Sequence, residues 1–214
     1  MTGEVRRVFV CVFELHKSYS TQDYVRRAGM QCLNSEYRTI VSHADSTDDL
    51  FEIRRTPQGK PCFVYLPEVG LSVSHSGDYI VCALADGNIG VDIERGQKYP
   101  DESDADFSRR LCTIAGRFFH PDEAAYIRED PLTRFNRIFT AKESYVKMTG
   151  TGFDETLGCH SVLPADAPEL PCADGTPVFW RSADAVFWQT EYREGYTLCV
   201  CANAAQTPYS VCIV

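Results

Sequence analysis

Two carboxylates stand two residues apart in residues 89–94, Ile-Gly-Val-Asp-Ile-Glu. Because side chains alternate between the faces of a strand, Asp92 and Glu94 share one face, and Val91 and Ile93 share the other. Two acids without a basic residue between them repel each other, and oxygen ligands without clustered histidine or cysteine suit magnesium better than zinc. The segment is either a magnesium site or a strand with two solvated acids, because so short a motif is not specific.

A second pair of charged residues, Glu143 and Lys147, lies in a segment with helical periodicity. Their spacing of four places both on one helix face. In a site, Glu143 can be a third metal ligand or a general base, and Lys147 can neutralise a phosphate. The alternative is a surface ion pair that contributes about 0.2–0.5 kcal/mol.

Two further segments offer groups that bind anions. Ser74-His75 ends an alternating strand pattern, and the histidine is either a phosphate donor or a structural turn residue. Lys60 is presented by the turn of residues 56–61, which is rich in proline and glycine. The chain has no Gly-x-Ser-x-Gly elbow, no Walker-type loop and no dinucleotide fingerprint, so these segments do not indicate a serine hydrolase or a nucleotide fold of those types.

The elements that position these residues follow from periodicity, turn residues and caps. Asp86-Gly87-Asn88 predicts a hairpin that brings the strand after Ser74-His75 next to Asp92 and Glu94. Residues 34–50 carry no clear pattern, and residues 95–101 read as a linker. Strands are predicted at 5–13, 51–55, 69–74, 79–85, 89–94, 178–181, 186–192 and 196–202, and helices at 21–33, from Ser103, from Pro121, and from Pro131 to Gly150.

Composition narrows the class of protein and its compartment. The chain has 214 residues, with 44% hydrophobic and 24% charged residues, which is ordinary for a globular protein. Its ten cysteines are scattered and form no Cys-x-x-Cys, which predicts reduced thiols. Residues 8–13 are too short for a signal peptide, and no apolar run reaches the length of a membrane span. We therefore expect a cytoplasmic protein.

Charge is distributed unevenly along the chain. The net charge of −9 disfavours nucleic acid as a partner. Residues 109–147 nevertheless hold 8 basic and 5 acidic residues, a net +3. This segment predicts either a site for an anionic ligand or acidic partner, or simply a helix face rich in arginine.

Five motifs occur together in an order and spacing that closely resemble the 4′-phosphopantetheinyl transferases. The resemblance is to the pseudo-dimeric type that activates peptide and polyketide synthases, and it runs from about residue 51 to about residue 153. The motifs are Gly59-Lys60-Pro61, Ser74-His75-Ser76, Gly90-Val-Asp92-Ile-Glu94, residues 118–123, and Phe139 to Lys147 with Gly150-x-Gly152.

The resemblance implies an α+β fold of two similar α/β halves related by a pseudo-two-fold axis. The halves would be residues 1–90 and 91–214, with coenzyme A in the cleft between them. Two halves in one chain suggest a monomer. The implied reaction is attack of a carrier-protein serine hydroxyl on the β-phosphorus of coenzyme A, with 3′,5′-ADP as the leaving group.

The family's functional residues can be carried over only where this sequence matches its motifs. The resemblance implies that Glu143, Lys147 and His75 are catalytic, with Glu143 as the base directly or through water. The magnesium ligands would be Asp92, Glu94 and Glu143, and the coenzyme A contacts would be Lys60, Ser74, His75 and Lys147. The basic stretch that usually holds the 3′-phosphate is not evident, and the candidates to replace it are Arg26, Arg27, Arg54 and Arg55.

Two other functions fit the same residues. A non-catalytic homologue would only bind carrier proteins, although the intact acids and Lys147 argue against it. A magnesium-dependent phosphohydrolase would use the same carboxylates. For the transferase, we expect an acidic carrier protein to dock on the basic segment, with Arg110, Arg117, Arg134 and Arg137 as candidates.

Overall fold

The computed structural model describes residues 6–32, 50–152, 158–164, 176–182, 184–193, 195–204 and 209–214. The strands are β1 (Arg6–Glu14), β2 (Ile53–Arg55), β3 (Pro61–Phe63), β4 (Val69–Ser76), β5 (Tyr79–Asp86), β6 (Ile89–Arg95), β7 (Val178–Ser182), β8 (Ala185–Arg193), β9 (Tyr196–Asn203) and β10 (Tyr209–Ile213). The helices are α1 (Thr21–Cys32), α2 (Asp104–Phe118), α3 (Pro121–Glu129) and α4 (Pro131–Thr149).

Two four-stranded sheets form the centre of the molecule. Their strand orders are β10-β1-β5-β4 and β6-β9-β8-β7, and only the β1–β10 pairing in them is parallel. Side-chain alternation divides the core into three clusters. Val10 and Val91 belong to the cluster between the sheets, Cys11 packs with α1 on the outer face of the first sheet, and α2, α3 and α4 cover the second. The fold is therefore mixed α and β, as predicted.

The starts of the three later helices agree with the predicted caps. The Ser103 side chain accepts a hydrogen bond from the Asp106 N–H at 3.1 Å at the start of α2. Pro121 and Pro131 are the first residues of α3 and α4, where a missing N–H costs nothing. Gly150 ends α4 with a φ of 73°, a left-handed conformation that glycine adopts without strain.

The predicted hairpin across Asp86-Gly87-Asn88 is wrong. Strand β5 already pairs with β1 on one edge and with β4 on the other, so it has no edge left for β6. The chain instead crosses to the second sheet, where β6 pairs antiparallel with β9. Gly70 allows this crossing, because a Cβ there would lie 1.7 Å from the Gly87 carbonyl oxygen.

Several element bounds also differ from the prediction. Strand β4 does not end at Ser74 but continues through Ser76, and His75 pairs with Ile80. Only Gly77 and Asp78 form the turn that follows. Strand β10 was not predicted, and neither was the pairing of β2 with β3. The predicted ends of the first strand and helix, at residues 5 and 33, lie outside the described residues.

Cysteines in the described ranges are all free thiols. We expect that adding a reductant will not lower the melting temperature, because no disulfide joins these residues. The measurement is thermal unfolding with and without reductant. The Sγ atoms of Cys11 and Cys32 lie 3.0 Å apart in the interior. A clear fall in melting temperature would contradict the prediction, and this pair would be the first to examine.

Candidate active site

Strands β4 and β6 lie side by side, and serine hydroxyls of β4 contact β6. We call this line of contacts the serine seam. It joins the edges of the two sheets, which are not paired there through a backbone ladder. Its contacts are Ser72 Oγ accepting from the Val91 N–H at 3.0 Å, Ser74 Oγ donating to Asp92 at 2.6 Å, and Ser76 Oγ donating to Glu94 at 2.9 Å and accepting from the Arg95 N–H at 3.1 Å.

Helix α4 lies directly against the other side of β6. A Cβ at Gly90 would lie 1.8 Å from the carbonyl oxygen of Ser144, so only glycine lets the helix backbone approach this closely. Val91 and Ile93 are buried between the sheets, so the alternate residues Asp92 and Glu94 point away from that core, as predicted. The packing of α4 on β6 brings the two predicted charged pairs into one site.

Asp92 is the central acid of this site, and only 2% of its surface is exposed. One carboxylate oxygen, Oδ1, accepts hydrogen bonds from Ser74 and from the Lys147 ammonium, each at 2.6 Å. The other, Oδ2, is buried without a hydrogen-bond partner. A buried carboxylate oxygen left without a donor carries an energetic cost that a cation can offset.

Glu143 is half-buried, and the structure does not form the alternative ion pair with Lys147, which pairs with Asp92 instead. Burial and, after it, the charges of Asp92 and Glu94 raise the pKa of Glu143 to about 7, although the charge of Lys147 opposes this rise. Burial, followed by the charge of Asp92, also raises the pKa of Glu94. The three predicted acids therefore influence one another electrostatically, as expected for groups that share a cation.

Whether these acids fit a metal ion can be judged from their donor set. Within the described ranges, no three acidic, histidine or cysteine side chains are close enough together to form a ready metal site. The unpartnered oxygen of Asp92, and the repulsion that its charge exerts on Glu94 and Glu143, nevertheless favour a cation beside them. Carboxylate oxygens without nitrogen or sulfur ligands suit magnesium.

A cavity of about 230 Å³ opens beside Glu143, between the turn after β2 and the C-terminal half of α4. Arg55, Lys60 and Lys147 all line it, so it suits an anionic ligand. Among the arginines considered for the 3′-phosphate, Arg55 is the one that lines this cavity, whereas Arg27 stacks on Phe13.

Lys60 has a structural contact that the sequence did not predict. Its ammonium donates to the Met148 carbonyl near the C-terminus of α4 at 2.8 Å and to the Ile89 carbonyl at 3.3 Å. Burial lowers the pKa of Lys60 to about 8. A cation near a helix C-terminus is stabilising, so Lys60 ties the turn of residues 56–61 to α4.

His75 is placed apart from the other predicted site residues. It is exposed near the end of β4, on the strand face opposite to Ser74 and Ser76. The contacts of the described residues do not join its ring to the carboxylates. Val73, two residues earlier on the same strand face, lines the cavity. The part of β4 that lines the cavity therefore ends before His75.

A buried ion pair supports α4 from its other side, and sequence reasoning missed it. The Lys142 ammonium lies 2.7 Å from a Glu123 oxygen, and both side chains are almost fully buried. Glu123 also accepts from the Val162 N–H at 2.7 Å, and Lys142 donates to the His160 carbonyl at 2.8 Å. The available signal was helical spacing, since Lys142 follows the buried Ile138 by four residues.

The four arginines predicted to dock a partner differ in their surroundings. Arg137 is buried, so its inclusion among exposed docking residues was wrong. Arg110 forms two hydrogen bonds with Glu102, each at 2.8 Å, and Arg134 pairs with Glu129. Arg117 is exposed at the end of α2, with its guanidinium 5.1 Å from the Phe118 ring centroid.

Comparisons with known proteins agree with the motifs. A family model described as the 4′-phosphopantetheinyl transferase superfamily matches residues 88–201, more than half of the chain. The chain is 35% identical over 153 residues to a 4′-phosphopantetheinyl transferase of Bacillus subtilis. This alignment covers 67% of this chain and 59% of that protein.

The alignments with two further relatives cover a larger share of those relatives' length. The chain is 29% identical over 187 residues to the 4′-phosphopantetheinyl transferase Sfp of Bacillus subtilis (strain 168), which covers 83% of this chain and 75% of Sfp. It is 32% identical over 136 residues to the 4′-phosphopantetheinyl transferase AcpT of Salmonella typhimurium, covering 63% of this chain and 67% of AcpT.

Proposed function

Because this chain belongs to the 4′-phosphopantetheinyl transferase superfamily, we propose that it transfers 4′-phosphopantetheine from coenzyme A to a serine of a carrier protein. The observation that carries this proposal is a cavity lined by Arg55, Lys60, Lys147 and Glu143. Glu143 in turn interacts electrostatically with Asp92 and Glu94. A donor with a pyrophosphate needs cationic groups for its oxygens, and a phosphoryl transfer needs its developing charge offset.

Coenzyme A would bind with its phosphates toward the basic side chains of the cavity. Lys147 is oriented for this role, because its ammonium is held by Ser74 at 2.8 Å and by Asp92 at 2.6 Å. Lys60 and Arg55 line the same cavity. The proposed donor contacts of Ser74 and His75 rest on their match to the family's motif, because neither residue lines this cavity. Lys147 would offset the negative charge that grows on the departing 3′,5′-ADP.

Asp92, Glu94 and Glu143 would hold a magnesium ion. The ion would supply positive charge near the pyrophosphate and so would offset the charge that develops during transfer. The contribution of the protein is a half-buried set of oxygen donors, whose mutual repulsion favours a cation.

Glu143 would also accept the proton of the carrier serine, directly or through a water molecule. The serine oxygen forms a bond to the β-phosphorus, and the bond from that phosphorus to the bridging oxygen breaks. The bridging oxygen leaves with 3′,5′-ADP, and the serine proton passes to Glu143. A carboxyl group with a pKa of about 7 is well matched to proton transfer near neutral pH.

We also propose that the chain consists of two related halves, residues 1–90 and 91–214, with coenzyme A bound between them. Each half supplies most strands of one sheet, whereas β10 joins the first sheet from the second half and β6 begins at Ile89, within the first half. The strand orders support this, because β1-β5-β4 in the first sheet matches β6-β9-β8 in the second. In each case the opening strand of the half pairs antiparallel with the last strand of a later hairpin. Each sheet also packs helices on its outer face.

The partner would be an acidic acyl or peptidyl carrier protein. The protein would act as a monomer in the cytoplasm. The free thiols support a reducing compartment. No helix within the described part of the chain is long and apolar enough to cross a membrane.

We expect Arg117→Glu to raise the KM for an acidic carrier a few-fold at low salt and to weaken its salt dependence, because exposed charges mainly steer association. The KM for coenzyme A should not change. The measurement is steady-state transfer at several salt concentrations. Lys17→Glu makes the same charge change at an exposed position outside the basic segment and is the matched control. Equal carrier KM values for Arg117→Glu and wild type would place docking elsewhere.

Mass spectrometry of candidate carriers tests the proposed function as a whole. Purified fatty-acid, polyketide and peptide-type carriers are each incubated with the protein, coenzyme A and magnesium. The expected result is the gain of one phosphopantetheine on at least one carrier. Carrier binding without this gain would favour the non-catalytic homologue, and release of phosphopantetheine without any carrier would favour the phosphohydrolase.

A further inference from the structure

Ser76 contacts the acidic site without being one of its acids. Its hydroxyl lies at the end of β4, where it donates to a Glu94 carboxylate oxygen at 2.9 Å. The same hydroxyl accepts from the Arg95 N–H at 3.1 Å. A serine hydroxyl has one hydrogen to donate, and the Arg95 N–H occupies an acceptor position. The hydrogen is therefore directed to the carboxylate of Glu94.

The register of the serine seam links each acid of β6 with one serine of β4. Ser74 contacts Asp92 and Ser76 contacts Glu94, and both pairs are 18 positions apart in the chain. The two-residue spacing of the acids is thus matched by a two-residue spacing of hydroxyl donors on the neighbouring strand. Ser74 also contacts Lys147, whereas the hydroxyl of Ser76 serves Glu94 and the backbone of β6.

Glu94 needs such a donor more than an isolated acid does. Its side chain is only partly exposed, and it shares one strand face with Asp92. Like charges that are neighbours on one strand face repel each other. The glutamate side chain can also rotate about several bonds. Without a fixed donor, the carboxylate gains hydration and distance from Asp92 by turning toward solvent, which removes it from the site.

We propose that Ser76 is a positioning residue that holds the Glu94 carboxylate in the orientation a divalent cation requires. This rests on the proposed function, in which Asp92, Glu94 and Glu143 bind the cation. In this proposal Ser76 acts through Glu94, to which its hydroxyl donates, and has no direct role toward coenzyme A or the carrier. Hydrogen-bond partners of metal ligands typically control metal affinity by about 10- to 100-fold when they are removed.

The test compares two variants that differ in one hydroxyl group. Ser76→Thr keeps the donor, and Ser76→Val replaces it with a methyl group of similar size. Both residues are β-branched and favour strands, so both variants should fold. Manganese(II) serves as the probe, and its affinity for the full chain is measured from the electron paramagnetic resonance signal of the free ion. The melting temperature of each variant is recorded in parallel.

We expect the valine variant to bind manganese at least about tenfold more weakly than wild type, and the threonine variant to bind it within about twofold. Ser182→Ala is the matched control, because it also removes a strand hydroxyl that donates one hydrogen bond, to the Ser161 carbonyl at 2.8 Å. Ser182 lies on β7, at the opposite edge of the second sheet from β6. This variant should bind manganese like wild type.

Equal manganese affinity for Ser76→Val and wild type overturns the positioning role, whether or not the melting temperature falls. That result leaves the proposed function intact if wild type binds manganese and modifies a carrier. A wild-type protein that does not bind manganese overturns the metal site and the role of Ser76 together. Weak binding by valine with normal binding by threonine and by Ser182→Ala supports the proposal.

Discussion

Glutamine in place of Glu143 should lower kcat for carrier modification by at least about 10²-fold with nearly unchanged stability. A serine hydroxyl is a weak nucleophile, and removing its proton as the new bond forms contributes typically about 10² to 10⁴ in rate. Glutamine retains the shape and one coordinating oxygen, but it cannot accept the proton. Glu143 is half-buried without an ion pair to Lys147, so its replacement removes no such contact.

Titration with magnesium distinguishes the two proposed roles of Glu143. Higher magnesium should partly restore activity if glutamine only weakens metal binding, whereas a lost base is not restored. The matched control is Glu129→Gln, which makes the same change at an exposed acid paired with Arg134 on the surface. Normal turnover of Glu143→Gln at ordinary magnesium would contradict the proposed mechanism.

Alanine in place of Asp92 should abolish transfer, and wild-type activity should disappear in excess chelator. Asp92 combines a buried carboxylate oxygen without a partner and the ion pair that orients Lys147. Its removal therefore takes away a proposed metal ligand and the anchor of the proposed phosphate-binding lysine together. We expect the variant to remain folded, because losing one negative charge also relieves repulsion on Glu94 and Glu143.

The measurement is carrier modification by mass spectrometry, with magnesium and with chelator, together with thermal unfolding of each variant. Asp104→Ala is a suitable control, since Asp104 is an exposed acid paired with Lys98 at the start of α2. Full activity in excess chelator, or residual activity of Asp92→Ala close to wild type, would rule out the cation requirement.

Local geometry explains what could be predicted from the sequence. Asp92 and Glu94 share a face because strand side chains alternate, and Ser103 begins a helix because its hydroxyl accepts a nearby N–H. Gly150 ends α4 for a similarly local reason, its positive φ. Each of these features depends on backbone geometry within a few residues, so periodicity and residue type are sufficient.

The site residues that belong together were grouped by motif, but their individual partners were not. Lys147 was expected near phosphates or paired with Glu143, and in the structure it pairs with Asp92, which is 55 positions away. This partner depends on how closely α4 approaches β6, which in turn depends on the missing side chain of Gly90. Such a contact follows from packing rather than from spacing within one helix.

The incorrect hairpin prediction shows that strand pairing, too, depends on the tertiary structure. Asp86-Gly87-Asn88 is a good turn sequence, but a turn does not determine whether the preceding strand has an edge to offer, and both edges of β5 are taken. The sequence alone therefore determined the faces, caps and motif residues, since these are set by neighbours in the chain. Only the tertiary structure decided that β4 supplies Ser74 and Ser76 to the acids of β6, because that contact requires two sheets to meet edge to edge.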